Sequence, residues 1–443
     1  MSVVTKAIGY AKKLKHRFQD EIRARTPVYL SPVRRIEQVA LRERVCAMTF
    51  DDGPCRLPAN PTRTGKPLTL DLVETLERFG AKGTFDIVGD TSGNYPDHPG
   101  KEGSAYWGGV AYDHYPDFGK DADGGARHCP ELVERILSGG HEITSHTWAH
   151  ILYGPKPLVY GGRKPLSGLD AVTDDLTMMD AFMQSHYGYK IRLSRPPHYV
   201  DGTKDGFSAY DAHARMGYQY LAASFDGAGW LPLGSYDDEV AAMVRPMERA
   251  LEENPDALCG QIIFQKDGYN MARRSPVADG LAQQLALLKK YGYRVVTVSE
   301  LMAMCPFFDV SPEDALYLPA KKLLDAGFCV CYRDNTVRAD APMTRGELAM
   351  MLYGCTTTEQ RIAMVRGKTP AAKDVGCRHP YAAAIAAALN AGTMTAEAGR
   401  FRPDDALTSA EFDAMTQRQF SREAHAVEPL THGTVIKALA ELV

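Results

Sequence analysis

From Val45 onward the chain alternates between short apolar runs and stretches whose apolar residues recur at helical spacing. The runs are residues 45–50, 83–88, 141–147, 191–197, 220–226, 261–266 and 294–299, and each predicts a buried strand. Between them, Leu72, Leu76 and Phe79 fall on one helical face that Gly80 closes, and residues 131–137 predict a short helix. Ser167 is placed to cap a helix whose Leu169, Val172, Leu176, Met179 and Phe182 form one stripe. Residues 237–252 predict a helix bent at Pro246, and Leu281, Leu285 and Leu288 mark another, ended by Gly292. Residues 91–128, rich in Gly, Asp, Tyr and His, break the rhythm. They predict a long insertion at the C-terminal end of the second strand, and loops of that length usually carry function or move. Residues 1 to about 25 alternate apolar and basic positions, which predicts an amphipathic helix with a solvated polar face.

Strands alternating with helices predict a parallel sheet. No glycine-rich dinucleotide fingerprint accompanies the seven units, which favours a barrel over a doubly wound sheet. The expected fold is α/β, a distorted seven-stranded parallel (β/α) barrel over residues 45–302, preceded by a helical extension at 1–44. After Cys305-Pro306 the alternation stops. Asp309-Val310 with Leu316, Ala320, Leu324 and Gly327 aligns with Asp374-Val375 followed by Tyr381, Ile385, Leu389 and Gly392. Thr344-Arg345-Gly346-Glu347 aligns in the same way with Thr408-Ser409-Ala410-Glu411. Residues 303–443 are therefore expected to be an all-α repeat domain, with units at about 307–355 and 372–420 and a shortened third unit to 443. Each full unit predicts a helix, an extended loop, and a second helix opened by a Thr-x-x-Glu capping box.

Composition narrows the function classes. A length of 443 residues suits two domains. The net charge of −4 provides no basic field for nucleic acid. No apolar run is long enough for a membrane span. Lys6, Lys12, Lys13, Lys15 and Arg17 interrupt the N-terminus before a signal-peptide core can form. The nine cysteines are scattered without zinc-ribbon spacing, so reduced thiols are expected, and Cys55 is expected to pack rather than react.

The chemistry gathers at strand ends. Thr49-Phe50-Asp51-Asp52-Gly53-Pro54 places adjacent carboxylates where the first strand stops. Like charges this close need a cation or a shared proton unless the segment is only a solvated turn. His146 and His150 in His146-Thr147-Trp148-Ala149-His150 reach one point if that segment turns helically; two surface histidines are the plainer alternative. Together with one Asp they make a donor set for zinc or a similar divalent ion, which lowers a water's pKa and polarises a carbonyl. The other Asp can then act as general base.

These residues identify a resemblance. Residues 45–302 resemble the polysaccharide deacetylase family, the NodB-homology or carbohydrate esterase family 4 domain. The resemblance implies Asp51 as base and Asp52, His146 and His150 as ligands of a divalent metal, zinc foremost. Arg195-Pro196-Pro197 resembles the motif whose Arg orients the base, and His198, where an aromatic is usual, would lend its backbone N–H to the oxyanion, with Tyr199 following. Asp226-Gly227-Ala228-Gly229-Trp230 resembles the motif in which Asp226 holds Arg195 and Trp230 lines the acetyl pocket; Gly229 stands where a second Asp is common. Lys266 occupies the place of the family's general-acid His. Lysine serves there only if desolvation lowers its pKa, and His198 is the alternative acid. The repeats resemble S-layer homology modules, which bind cell-wall polymer through a motif Arg; Arg345 keeps it, while Ser409 and His432 replace it. The implied function is metal-dependent removal of N-acetyl groups from a glycan of the peptidoglycan or chitooligosaccharide type. Hydrolysis of an O-acetyl ester or another non-peptide C–N bond, and a catalytically weak glycan-binding protein, are the alternatives. The repeats imply a cell-surface or cell-wall location, the missing signal peptide a cytoplasmic one.

Overall fold

The computed structural model describes residues 28–59, 65–90, 123–155, 165–270, 272 and 274–443. The expected N-terminal amphipathic helix and most of the 91–128 insertion lie outside them. Among the described residues nine strands form one sheet, with every pairing between them parallel. They are β1 (Arg35–Ile36), β2 (Val45–Asp51), β3 (Thr84–Ile87), β4 (Glu142–Ser145), β5 (Leu193–Ser194), β6 (Gln219–Leu221), β7 (Phe225–Asp226), β8 (Ile262–Lys266) and β9 (Arg294–Val296). All seven residues of β2 are buried, as its unbroken apolar run requires in a sheet covered on both faces. β2 pairs with β3, β8 and β9, and ladders run from it through β3, β4 and β5 to β6 and through β8 to β7.

The stretch expected as a single fifth strand is two. Its first half pairs with β5 and β1, its second half with β8, and Ala222, Ala223 and Ser224 carry the change of partner. The sheet thus curls back on itself through a broken strand. Residues 28–44, expected in the helical extension, instead supply β1 and core residues Leu30, Val33, Ile36 and Val39.

The barrel's helices are α1 (Leu68–Arg78), α2 (Pro130–Ser138), α3 (Leu169–Tyr187), α4 (Ala209–Met216), α5 (Tyr236–Glu253), α6 (Val277–Lys290) and α7 (Val298–Met304). α3 buries Leu169, Val172, Leu176, Met179 and Met183, while Phe182 lies against Trp148. Its start is not capped by Ser167; the Leu169 N–H donates to Asp205 Oδ2 at 2.9 Å. α5 runs through Pro246 as one helix.

The remaining helices are α8 (Tyr317–Asp325), α9 (Arg345–Tyr353), α10 (Thr358–Gly367), α11 (Ala382–Asn390), α12 (Ser409–Phe420) and α13 (His432–Ala440). Their geometry repeats. Asp309 accepts the Val337 and Arg338 N–H groups at 2.7 and 2.8 Å, and Asp374 accepts those of Phe401 and Arg402 at 2.9 and 2.8 Å. Capping boxes open α9 (Thr344, Glu347) and α12 (Thr408, Glu411), and Thr431 with Thr434 opens α13. One apolar core runs from Leu30, Ile36 and Val45 through Phe307 to Phe401 and Leu439, so the barrel and the helical part share an interior.

Candidate active site

β2 ends in the acidic pair. Asp51 is its last residue, and Asp52 follows in the left-handed region at φ 82°, a conformation that non-glycine residues hold only where surrounding structure imposes it. The main chain there is tied to both neighbours: the Asp52 N–H donates to Asp86 O at 3.2 Å and the Asp267 N–H to Asp51 O at 2.7 Å. Adjacent carboxylates at a strand end point apart, and the two meet different partners.

Asp52 faces the histidines. Its Oδ1 lies 3.1 Å from His146 Nε2 and 3.3 Å from His150 Nε2, and all three residues are buried. The segment between the histidines does not turn helically. Thr147 and His150 take positive φ, at 76° and 52°, and side chains hold the resulting turn. Thr147 Oγ1 accepts the His150 N–H at 2.9 Å, and Asp175 on α3 accepts the Trp148 and Ala149 N–H groups at 2.7 and 3.1 Å. His146 Nδ1 is 2.9 Å from both Arg195 O and Asp86 Oδ2, two acceptors that fix the proton on Nδ1 and leave Nε2 for a ligand. Burial opposes protonation of His146, but Asp86, Asp52 and Asp51 outweigh it and raise its pKa well above the usual value.

Asp51 faces Arg195. The guanidinium is buried and donates to Asp51, to Thr49 Oγ1 at 3.0 Å and to Ala222 O at 3.0 Å. Burial raises the Asp51 carboxyl to about 7; Arg195 and His146 act against it, Asp86 and Asp52 with it. Asp226 does not hold Arg195, contrary to expectation. The break between β6 and β7 brings the Ala222 carbonyl to the guanidinium, while the Asp226 carboxylate accepts the Ala228 N–H at 2.8 Å and the Trp230 indole N–H at 3.1 Å. Trp230 and Tyr199 are exposed, and Tyr199 also lies 5.7 Å from the Arg195 guanidinium. His198 has φ 54°, and its ring is 5.9 Å from that of His150. Gly229 admits no side chain, because a Cβ there would sit 2.5 Å from Val277 Cγ2.

Lys266 is buried at the end of β8, and its ammonium pairs with the second oxygen of Asp52. Asp267 beside it accepts the Thr69 hydroxyl at 2.6 Å, and burial raises its carboxyl to about 7. The convergent Asp52, His146 and His150 donors, all buried, fit a divalent ion. Cys55, buried nearby, has its thiol pushed up by burial and packs.

Residues 38–220 match the polysaccharide deacetylase family. Over that stretch the chain is similar to polysaccharide deacetylases. It is 27% identical over 267 residues to a peptidoglycan-N-acetylglucosamine deacetylase of Bacillus cereus, a match covering 60% of this chain and 91% of the relative. A chitin deacetylase of Pestalotiopsis sp is 25% identical over 182 residues, 41% of each chain. The solved structure of the peptidoglycan deacetylase PdaC from Bacillus subtilis superposes at a TM-score of 0.37 with 20% identity, covering 59% of this chain and 91% of that one.

Two residues of the site escaped sequence reasoning. Asp86 is a charge inside an otherwise apolar strand, and Asp175 stands one turn from Val172 on the buried side of α3. Arg345, by contrast, lies in the helical part and is buried there. It donates to Phe401 O at 2.8 Å, Thr395 O at 2.9 Å and Glu411, so its guanidinium faces no open surface.

Proposed function

We propose that this protein is a metal-dependent hydrolase that removes N-acetyl groups from a cell-wall or related polysaccharide of the peptidoglycan or chitooligosaccharide type. The observation that carries the reading is the convergence of Asp52, His146 and His150 beside the Asp51–Arg195 pair. Two imidazoles and a carboxylate suit zinc. When bound, the ion would acidify a water and polarise the acetyl carbonyl. Asp51, held by Arg195 with its carboxyl near 7, takes a proton at neutral pH. Lys266 would donate one to the leaving nitrogen, with His198 as the other candidate. Tyr199 and Trp230 offer exposed rings to the sugar.

We assign residues 303–443 as S-layer homology-like repeats that hold the enzyme to wall polymer at the cell surface. Their paired Asp309 and Asp374 loops and capping boxes support the repeat. Arg345 ties the first unit to Glu411 of the second, so polymer contacts fall to other residues. A second reading, a glycan-binding protein with weak turnover, is favoured by the Lys266–Asp52 pair, which sets a built-in cation against the metal.

Acetate release from N-acetylated chitooligosaccharide and from peptidoglycan, with and without chelator, tests the assignment. Chelator-sensitive release supports it. Release only from O-acetylated glycan would reassign the bond, and retained glycan binding without any release would establish the second reading.

A further inference from the structure

A cavity of about 210 Å³ lies between the barrel and the helical part, away from the acidic pair. Its walls come from residues 29–32, α4, the loop at Arg333, the first turn of α10 and the start of α11. Among the described residues three guanidinium groups line it, Arg333, Arg361 and Arg378, against one carboxylate, Asp211. Arg361 Nε donates to Asp211 Oδ1 at 2.9 Å, which pairs those two charges. The Arg333 guanidinium is stacked 4.3 Å from the Tyr210 ring centroid, and its Nε is buried without a hydrogen-bond partner among the described residues; Arg361 Nη1 is in the same condition. Buried guanidinium nitrogens are strong donors that proteins seldom leave unmet.

The backbone adds to the same field. α10 and α11 both start at the cavity, and neither has a side-chain cap. Uncapped helix N-termini carry partial positive charge and free N–H donors. Burial lowers the Arg333 pKa, with Arg361 adding to the effect against Tyr210 and Asp211. A chain that places two uncompensated cations and two helix starts around one hollow has built an electrostatic deficit that an anion relieves.

We propose that this cavity is a binding site for a phosphate-type oxyanion, as the free ion or as a phosphate carried on a glycan polymer. The two charges left over, Arg333 and Arg378, match that of a phosphate monoester near neutral pH. Donors arriving from two elements on different sides suit a tetrahedral group, and guanidinium forks bind phosphate bidentately.

Calorimetric titration of the full chain with inorganic phosphate, and separately with glycerol 1-phosphate, at fixed ionic strength tests the site. Saturable binding is expected, weakened about tenfold in Arg333→Met, whose stem still packs on Tyr210, and in Arg378→Met. Arg378 is exposed and makes no hydrogen bond among the described residues, so its variant folds even if the Arg333 variant does not. In phosphate-free buffer Arg333→Met should melt no lower than the parent, since only an unmatched charge is lost. Tighter binding of the ester identifies a polymer-borne phosphate and tighter binding of the ion a free one, both in support. No saturable binding, or unchanged affinity in both variants, overturns the proposal; phosphate taken up at the metal site would give the latter result.

Discussion

Asp175 holds the histidine turn without touching the metal ligands, and replacing it separates positioning from folding. Its carboxylate, 7% exposed, accepts the Trp148 and Ala149 N–H groups between His146 and His150. Asp175→Ala removes the acceptor shared by both part-buried donors, at a cost of about 1–3 kcal/mol each. The same substitution removes a buried charge. Desolvation raises the carboxyl from 3.8 to about 6 despite the two backbone bonds, which corresponds to about 3 kcal/mol lost to its burial at neutral pH. The two terms oppose each other, so global stability should fall by no more than about 3 kcal/mol. Metal affinity has no such compensation, because the turn that aims His150 loses its anchor. A fall of about 10- to 100-fold is expected, the usual cost of losing a group that orients a metal ligand. Competition against a chromophoric chelator reads the affinity, and thermal melts in excess chelator read the fold. The pH dependence supplies a further check. The folded pKa is raised, so the native state binds the extra proton and stability falls as pH rises from about 4 to about 6. Asp175→Asn should flatten that decline. A folded Asp175→Ala protein with unchanged metal affinity would refute the reasoning.

The acidic pair should divide by role: Asp52→Ala loses the metal, whereas Asp51→Asn keeps it in elemental analysis and loses acetate release. Lys266→Ala should bind metal more tightly, because Asp52 gains freedom from the ammonium, yet turn over more slowly; Lys266→His should match or exceed the parent rate. Equal rates in all three proteins would pass the acid role to His198. In the helical part Glu347 accepts Tyr332 OH at 2.5 Å and faces His432 at 3.4 Å; burial opposes ionisation, but His432 and these bonds win and lower its pKa to about 2. Its stabilisation is complete above about 4.5 and is lost as pH falls toward 2, so melting temperature followed over that range should drop less steeply in Glu347→Gln.

Asp52 and His146 of the candidate metal site stand out in the sequence because each follows an apolar run that stops on a donor: Asp52 after β2, His146 after β4. Asp86 and Asp175 do not, since their importance appears only when β3 meets β4 and α3 meets the turn at Trp148. The break between β6 and β7 was hidden for a related reason. Residues 220–226 keep an even apolar pattern, and a change of pairing partner leaves no mark on hydrophobicity. β1 has two residues, too few for any period to register. The histidine turn was misjudged because spacing of four matches a helix, whereas positive φ at Thr147 and His150 achieves the convergence otherwise. Arg345 kept its motif position, but motif position carries no information on whether a guanidinium is already spent.

Residues 28–36 thread between the halves: the Leu30 N–H meets Tyr381 OH at 3.3 Å, Arg34 bonds Pro306 O at 2.7 Å, and Arg35 N–H donates to Arg333 O at 2.7 Å while β1 pairs with β6. Such a splint makes the halves poor modules. Calorimetry should record one melting event, and a protease that nicks this strip should loosen the catalytic and the helical half together. By the same logic, grafting the helical half onto a foreign barrel would require the strip to travel with it.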